Sequence, residues 1–548
     1  MDFKKEVSEI IAKETKLNKE EILQIIEIPK PEFGDFAFPC FILAKEFKKS
    51  PVEISKELQN RIKLTSLFKQ IKAIGPYLNF FVNKEKFSEN VLNETERKHK
   101  KLNKTIVIDL SSPNIAKPFS IGHLRSTVIG YSLYKIFDYL GYKVIRDNHL
   151  GDWGTQFGKL IYAYKKWGKK EQLKKEPIKY LLELYIKFHK EDEKDEDLNE
   201  KAREEFKKLE DKNKENVKLW EEFKDLSLKE FDRIYSRLNV KFDTYLGESF
   251  YAKDIEKTVK RFSKVAKESE GALVVEVEDM PPCMLKKSDE ASTYATRELA
   301  TLFYREEKYK PEKILYVVGS EQTLHFKQVF SAISRIDKKL AEKCFHVPFG
   351  WMRLKEGRMS TREGKVIFME DVLNKGKELA LKLIKEKNSK LANKDEVADK
   401  ISIASIVYSD LSSDRILDVE FDWDKMISFD GDTGPYLQYA LVRAGKILLK
   451  EKINKIKIEN LNDFEFNLVK KISLFEEIVK RSAELYKSNL IANYSYELAR
   501  EFSSFYENCP VLSEKGKEKD KRLMIVKSFY ETLKKCLELL NIPVLGEM

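Results

Sequence analysis

A β-branched run, TIVIDL at 105–110, is followed by a Ser- and Pro-containing turn, a helix-spaced apolar pattern and a second short run, KVIRD at 143–147. Within TVIGYSLYKIFDYLGY, the residues Ile129, Leu133, Ile136, Phe137 and Leu140 recur at helical intervals, and Gly141 supplies a stop. Strand, helix and strand in this order call for a crossover, and crossovers join parallel strands. The feature therefore predicts a parallel sheet covered by helices. Ligands of such sheets bind beyond the carboxyl ends of the strands. That places KPFSIGHLRST, residues 117–127, at the mouth of the connecting helix.

The chemistry of that stretch suits a phosphate. A helix mouth offers unpaired N–H groups and partial positive charge. Gly122 allows a ligand close to the backbone. His123 can donate to a phosphoryl oxygen as charge develops there, and Lys117 adds a mobile full charge. Each such preorganised donor lowers a barrier by roughly 3 kcal/mol. The stretch carries neither the Gly-rich dinucleotide fingerprint nor a P-loop. Its parts point to nucleotidyl transfer.

The rest of the chain sets the frame. Its 548 residues predict roughly three or four domains. Charged residues make up 35%, and no apolar run approaches the ~20 residues that span a bilayer. MDFKKEVSEI begins an amphipathic helix without a signal-peptide core, so the expected location is the cytoplasm. Five scattered cysteines form no C-x-x-C pair, so buried thiols are expected, with no zinc. A net charge of +11 favours an anionic partner, although Glu dilutes much of the Lys.

Residues 1–95 have the pattern of a small α/β domain. Asn18 and Glu21 have capping-box spacing, as do Ser50 and Glu53 around Pro51, and AIGPYLNFFVN is strand-like. The polar segment 93–104 is expected to be a linker. Residues 166–240 are expected to form a charged, solvated helical insertion, and 241–292 a second inserted region. GALVVEV, near 271, and EKILYVVGSEQ, at 312–322, are expected to supply the other half of the parallel sheet. From 376 onward the pattern is almost wholly helical.

SSPNIAKPFSIGHLRST followed by NHLGDWGTQFGKL resembles the class I aminoacyl-tRNA synthetases, and among them the arginyl-tRNA synthetase family. GRMSTREGKVI at 357–367 resembles the second signature loop, and STYATREL and VVGSEQTLHFKQVF the amino-acid pocket. FDGDTGPYLQYALVRAGKIL at 429–448 resembles the start of the anticodon-binding domain, and PKPEFGDFAFPCFILAKEFKKSP the N-terminal tRNA-elbow module. The resemblance implies a multidomain α/β protein. Its parts are a small N-terminal domain (1–95), a Rossmann-type catalytic domain with helical insertions (104–375), a helical connector (376–428) and an all-α anticodon-binding bundle (429–548).

It also implies an activity: arginine is activated with Mg²⁺-ATP to arginyl-adenylate, then passed to the 2′-hydroxyl of the terminal adenosine of tRNA-Arg. Positioning and charge stabilisation suffice for both steps. The residues implied for ATP are Gly122, His123, Met359 and Ser360, with Lys117, His123, Arg358, Arg362 and Lys365 as the catalytic groups. Thr361 stands where the wider class has a catalytic Lys, and Lys117 compensates. For arginine, the resemblance implies Asp109 as the α-ammonium partner, with Ser112, Pro113, Asn114, His123 and Gln322. Tyr294 and Glu298, one helical turn apart, are implied as guanidinium readers, with Glu in place of the usual Asp. Tyr436, Tyr439 and Arg443 are implied for tRNA, no protein-bound metal is implied, and the chain is expected to be a monomer. Ser120, in the slot of the class's first His, and Glu298 leave open a non-catalytic tRNA-binding protein of the same fold. A synthetase for another amino acid also remains open.

Overall fold

The computed structural model describes residues 3–93, 99–195, 197–288, 291–353, 367–388, 390–420, 422–449, 451–454 and 456–548. The chain divides into two units. The larger comprises Lys98–Val442, Glu477–Tyr496 and Lys534–Met548, the smaller Met1–Arg97, Arg443–Glu476 and Glu497–Leu533.

The larger unit is built on a four-stranded sheet. Its strands are β1 (Thr105–Asp109), β2 (Lys143–Asp147), β3 (Lys313–Tyr316) and β4 (Cys344–His346), in the spatial order β4-β3-β1-β2 and all parallel. The crossover from β1 to β2 is α1 (Ile121–Tyr139). Ser120 enters it in extended conformation, and Gly141 leaves it at φ +92. Most of α1 is buried, as its nearly all-round apolar character requires. Gly130 brings it close to the sheet, since a Cβ there would lie 2.4 Å from Leu110 Cβ. Beneath the sheet, Val107, Ile314 and Tyr316 share one core with Leu299, Leu302, Phe326, Val329 and Ile333.

EKILYVVGSEQ joins this sheet as β3, but GALVVEV does not. Its strand, Ala272–Val275, lies in a separate antiparallel sheet with Ala266–Ser269 and Cys283–Lys286. The reason is local. Glu270 (φ 50) and Gly271 (φ 76) form a two-residue turn that pairs Ser269 with Ala272. Such a turn commits the strand to its sequence neighbour.

The segment predicted as a charged insertion is helical throughout its ordered elements. Its principal helices are α2 (Pro177–Asp192) and α3 (Lys214–Arg237). After the antiparallel sheet comes α4 (Tyr294–Tyr309), started by a Thr293 cap. Then follow α5 (Met369–Lys387), α6 (Lys394–Leu411) and α7 (Gly434–Leu448).

In the smaller unit, strands Phe36–Pro39, Tyr77–Val82 and Phe68–Ile74 form an antiparallel sheet. AIGPYLNFFVN is thus the end of one strand, a turn at Gly75–Pro76 and the whole of the next. Ser50 and Glu53 make the full capping box, whereas Asn18 caps through Glu20 N–H alone. Helix Lys84–Asn93 packs on helix Asp463–Ser473, with the Phe87 and Phe466 rings 5.8 Å apart, and Asp35 pairs with Lys470 at 2.7 Å. Of the expected linker at 93–104, residues 94–98 lie outside the described residues. All five cysteines are buried and unbridged. Among the described residues, no helix is long and apolar enough to cross a membrane.

Candidate active site

Chain order reverses between β1 and β3, since β1 continues to β2 on one side and meets β3 on the other. A crevice forms at such a switch point, outside the carboxyl ends of the strands. Asp109 is in register there with Asp147 and with Tyr316. Arg305, fully buried on α4, donates to Asp109 Oδ2 at 2.6 Å and to Asp147 Oδ2 at 2.8 Å, with its guanidinium 5.2 Å from the Tyr316 ring. Ser112 Oγ donates to Asp109 Oδ1 at 2.7 Å, and Thr244 Oγ1 to Asp147 Oδ1 at 2.6 Å. Both Asp109 oxygens are therefore engaged within the protein. Asp109 thereby anchors the strand end beside the crevice.

The loop leaving β1 is strained. Ser111 (φ 71), Ser112 (φ 47) and Ala116 (φ 61) are all left-handed without being glycine. Such residues cost about 1–3 kcal/mol each and persist where their surroundings over-determine them. Here Ser111 N–H donates to Ser126 Oγ, Ser112 N–H to Asn148 Oδ1 and Ala116 N–H to Ser227 Oγ. Asn114 lies against Gly151 of NHLGDWG, where a Cβ would come within 2.1 Å of Asn114 Oδ1. Pro113 carbonyl accepts from Gly151 N–H at 3.1 Å. The two halves of the motif are thus one interlocked loop pair.

At the mouth of α1, Ser120 N–H donates to His123 Nδ1 at 3.1 Å. A neutral imidazole that accepts at Nδ1 carries its proton on Nε2, ready to donate. Burial, with Lys117 adding to it, pushes His123 down to about 4, so the ring is neutral near pH 7. Gly122 is exposed at the first turn. Lys117 Nζ stands 5.3 Å from the Tyr185 ring of α2. Arg125, at the same helix mouth, is buried. It donates to Asp410 Oδ1 on α6 and to the carbonyls of Gly350 and Leu417, each at 2.8 Å.

Arg358, Met359, Ser360, Thr361, Arg362 and Lys365 lie outside the described residues. The flanks of their segment do not. Ile121 N–H donates to Ile367 carbonyl at 3.2 Å, Met369 N–H donates to Phe119 carbonyl at 2.9 Å, and Ser120 pairs with Phe368. On the other side, Met352–Arg353 pairs with Val419–Glu420.

Tyr294 opens α4 at 63% exposure, among half-buried neighbours. One turn on, Glu298 Oε1 is buried without a hydrogen-bond partner among the described residues, as are Tyr316 Oη, Tyr251 Oη and Arg305 Nη1. A cluster of unmet buried polar atoms is what a polar ligand would complete. Glu248, missed in the sequence, adds a second carboxylate. Burial raises its pKa, Glu298 contributes to the rise, and Arg297 Nε lies 2.9 Å from its Oε2. The Arg297 guanidinium also stands 4.6 Å from the Tyr294 ring. Gln322 is exposed just beyond β3, ahead of helix Thr323–Ser334. The crevice so gathers the ends of β1 and β3, the mouth of α1 and the start of α4.

On α7, Tyr439 is exposed, Tyr436 stacks edgewise on Tyr496 at 5.8 Å, and the Arg443 guanidinium lies 4.8 Å from the Tyr506 ring. Among the described residues, no three His, Cys, Asp or Glu side chains gather as metal ligands.

A parallel sheet with its site at the switch point and a Gly-His helix mouth is the catalytic architecture of class I tRNA synthetases, and residues 87–423 match the family described as "tRNA synthetases class I (R), catalytic domain". Residues 1–82 match the "Arginyl tRNA synthetase N terminal domain" and 437–548 the "DALR anticodon binding domain". The chain belongs to the arginyl-tRNA synthetase family. Arginine–tRNA ligases of Clostridium perfringens and Halothermothrix orenii are 45% and 44% identical to it, each over the whole of both chains. The arginyl-tRNA synthetase structure of Thermus thermophilus matches all of both chains at 25% identity with a TM-score of 0.88. That of Plasmodium falciparum matches at 26% and 0.84, over all of this chain and 99% of its own.

Proposed function

We infer that the chain is an arginine–tRNA ligase that activates L-arginine with Mg²⁺-ATP and transfers it to the 2′-hydroxyl of the terminal adenosine of tRNA-Arg. The observation that carries this reading is the presence, around one sheet switch point, of a neutral His123 whose proton is left on Nε2 and of a buried Glu298 oxygen without a hydrogen-bond partner among the described residues. The arginine carboxylate attacks the α-phosphate, and pyrophosphate leaves. The first bond forms from oxygen to phosphorus, so no protein nucleophile is needed.

His123 Nε2–H and the α1 N-terminus meet the charge developing on the phosphoryl oxygens, and Gly122 admits the phosphate to the backbone. Lys117 with Arg358, Arg362 and Lys365 neutralises the pyrophosphate, while Met359 and Ser360 line the nucleotide. Magnesium arrives with ATP and shields its phosphates. Glu298, Glu248 and Tyr294 read the guanidinium, whose planar five-donor fork matches carboxylates. Ser112, Pro113, Asn114 and Gln322 hold the substrate's backbone end, and Asp109, which also accepts from Ser112 Oγ, faces its α-ammonium. Residues 1–95 are assigned to the corner of the tRNA and 429–548 to its anticodon, where Tyr436, Tyr439 and Arg443 offer rings and a cation. The active form is a monomer.

The test is charging of total tRNA with labelled arginine in the presence of Mg²⁺-ATP. The expected result is arginine-specific label on tRNA, with none from lysine, citrulline or glutamine. Retention of tRNA without any charging would identify a binding protein instead.

A further inference from the structure

The inserted helix α3 carries a stripe at Trp220, Lys224, Ser227, Phe231 and Tyr235, spaced by three or four residues and so on one face. Every member of it touches the catalytic loops. Trp220 Nε1 donates to Asp152 carbonyl at 2.8 Å and Lys224 Nζ to Asp152 Oδ2 at 2.7 Å. Asp152 Oδ1 in turn accepts from Ser249 N–H, next to Glu248. Ser227 Oγ accepts from Ala116 N–H at 2.7 Å. The Phe231 and Tyr235 rings stand 5.9 and 5.4 Å from Phe119, whose own ring is 5.3 Å from His123. Tyr235 Oη lies 2.7 Å from Ser111 Oγ and accepts from Asn148 Nδ2 at 3.1 Å, while Asn148 Oδ1 takes Ser112 N–H.

We propose that α3 is a positioning element for adenylate formation, and that Ser227 and Tyr235 are its positioning residues. The proposal rests on the ligase reading above. Its physical content is specific. The Ser227 and Tyr235 hydroxyls are buried; Ser227 Oγ donates to the Phe223 carbonyl one turn back and accepts from the left-handed Ala116, while Tyr235 Oη meets the left-handed Ser111 and Asn148, the side chain that holds Ser112. A helix that served only to cover the sheet would present apolar side chains to it, since a buried hydroxyl gains nothing without a partner. Here the partners are the residues whose backbone conformation needs holding. Ser112 and Asn114 carry the arginine end of the reaction and His123 the phosphate end, so one helix face sets both.

Tyr235→Phe keeps the ring and removes the hydroxyl. Ser227→Ala leaves Ala116 N–H unpaired. On enzyme counted by active-site titration, each variant is expected to lower kcat for charging by about 10- to 100-fold, the scale of a displacement near 1 Å. In Tyr235→Phe, KM for arginine should rise and KM for ATP stay within about twofold, because the lost hydroxyl served the Ser111–Asn114 loop at the arginine end while the ring against Phe119 is kept. Ser111→Ala combined with Tyr235→Phe should be no slower than the slower single variant, as expected for side chains in one network. Tyr245→Phe, whose hydroxyl faces Asp232 in solvent, should match the unaltered chain. Equal titrated kcat in both Tyr235→Phe and Ser227→Ala would overturn the proposal, as would a loss confined to the active fraction or to thermal stability. An unaltered chain that fails to charge tRNA overturns the ligase reading, and this proposal with it. One that charges, with variants that match it, overturns the role of α3 alone.

Discussion

Ser120 and His123 decide the phosphate chemistry at the residue scale. Ser120 stands at the helix entry, and its N–H takes the Nδ1 lone pair of His123. A histidine in that slot would still supply the same N–H, so the backbone contact survives the class's usual residue. What the site needs is the Nε2–H that this contact fixes. Burial places the His123 pKa at about 4, below the ordinary ~6.5. The sign follows from which state takes the proton. Between pH 6.5 and 4 the unfolded chain protonates this ring and the folded chain does not. His123 therefore withdraws stability as pH falls through that window, and contributes none above it. The expected NMR titration of its C2–H has a midpoint near 4, and the acid limb of the charging rate should show no His123 ionisation near 6.5. His123→Ala should lower kcat by about 10²-fold, the cost of one transition-state donor. A His123 midpoint near 6.5 or an unchanged kcat would remove the ring from this role.

At the scale of elements, the C-terminal edge of the sheet is held by charge as well as by apolar packing. Arg305 of α4 ties β1 to β2 through two buried carboxylates. Replacing it with Met keeps the stem and strands both acids, for which about 3–5 kcal/mol of destabilisation is expected. All five tryptophans lie within 98–442, so their fluorescence in denaturant follows the larger unit alone. The midpoint of that transition should fall sharply in Arg305→Met, and an unchanged midpoint would show the pair to be idle.

The elements were unevenly legible in the sequence. β1, α1 and β2 could be read because apolar periodicity and a glycine stop are local signals. The antiparallel placement of Ala272–Val275 depended on the conformation of Glu270–Gly271, which periodicity does not report. The working face of α3 was hidden because Lys224 and Ser227 sit within its aromatic stripe and dilute the contrast that marks a buried face. The place of Arg125 was hidden as well, because nothing beside the Gly-His pair reports its burial against Asp410, which is far off in sequence. Glu248 lies far in sequence from every motif and only the fold brings it near Glu298.

At the scale of the whole molecule, the five cysteines take on a use of their own. Cys40 and Cys509 belong to the smaller unit, and Cys283, Cys344 and Cys536 to the larger. Burial pushes Cys40, Cys283, Cys344 and Cys536 up to about 12, and raises Cys509 as well. A thiol held protonated and out of reach is chemically silent, because the thiolate is the reactive species. Alkylation of the native chain should therefore be negligible at pH 8, and should appear only as each unit opens. Mass mapping of the labelled cysteines would then time the unfolding of the two units separately, from within one unaltered polypeptide.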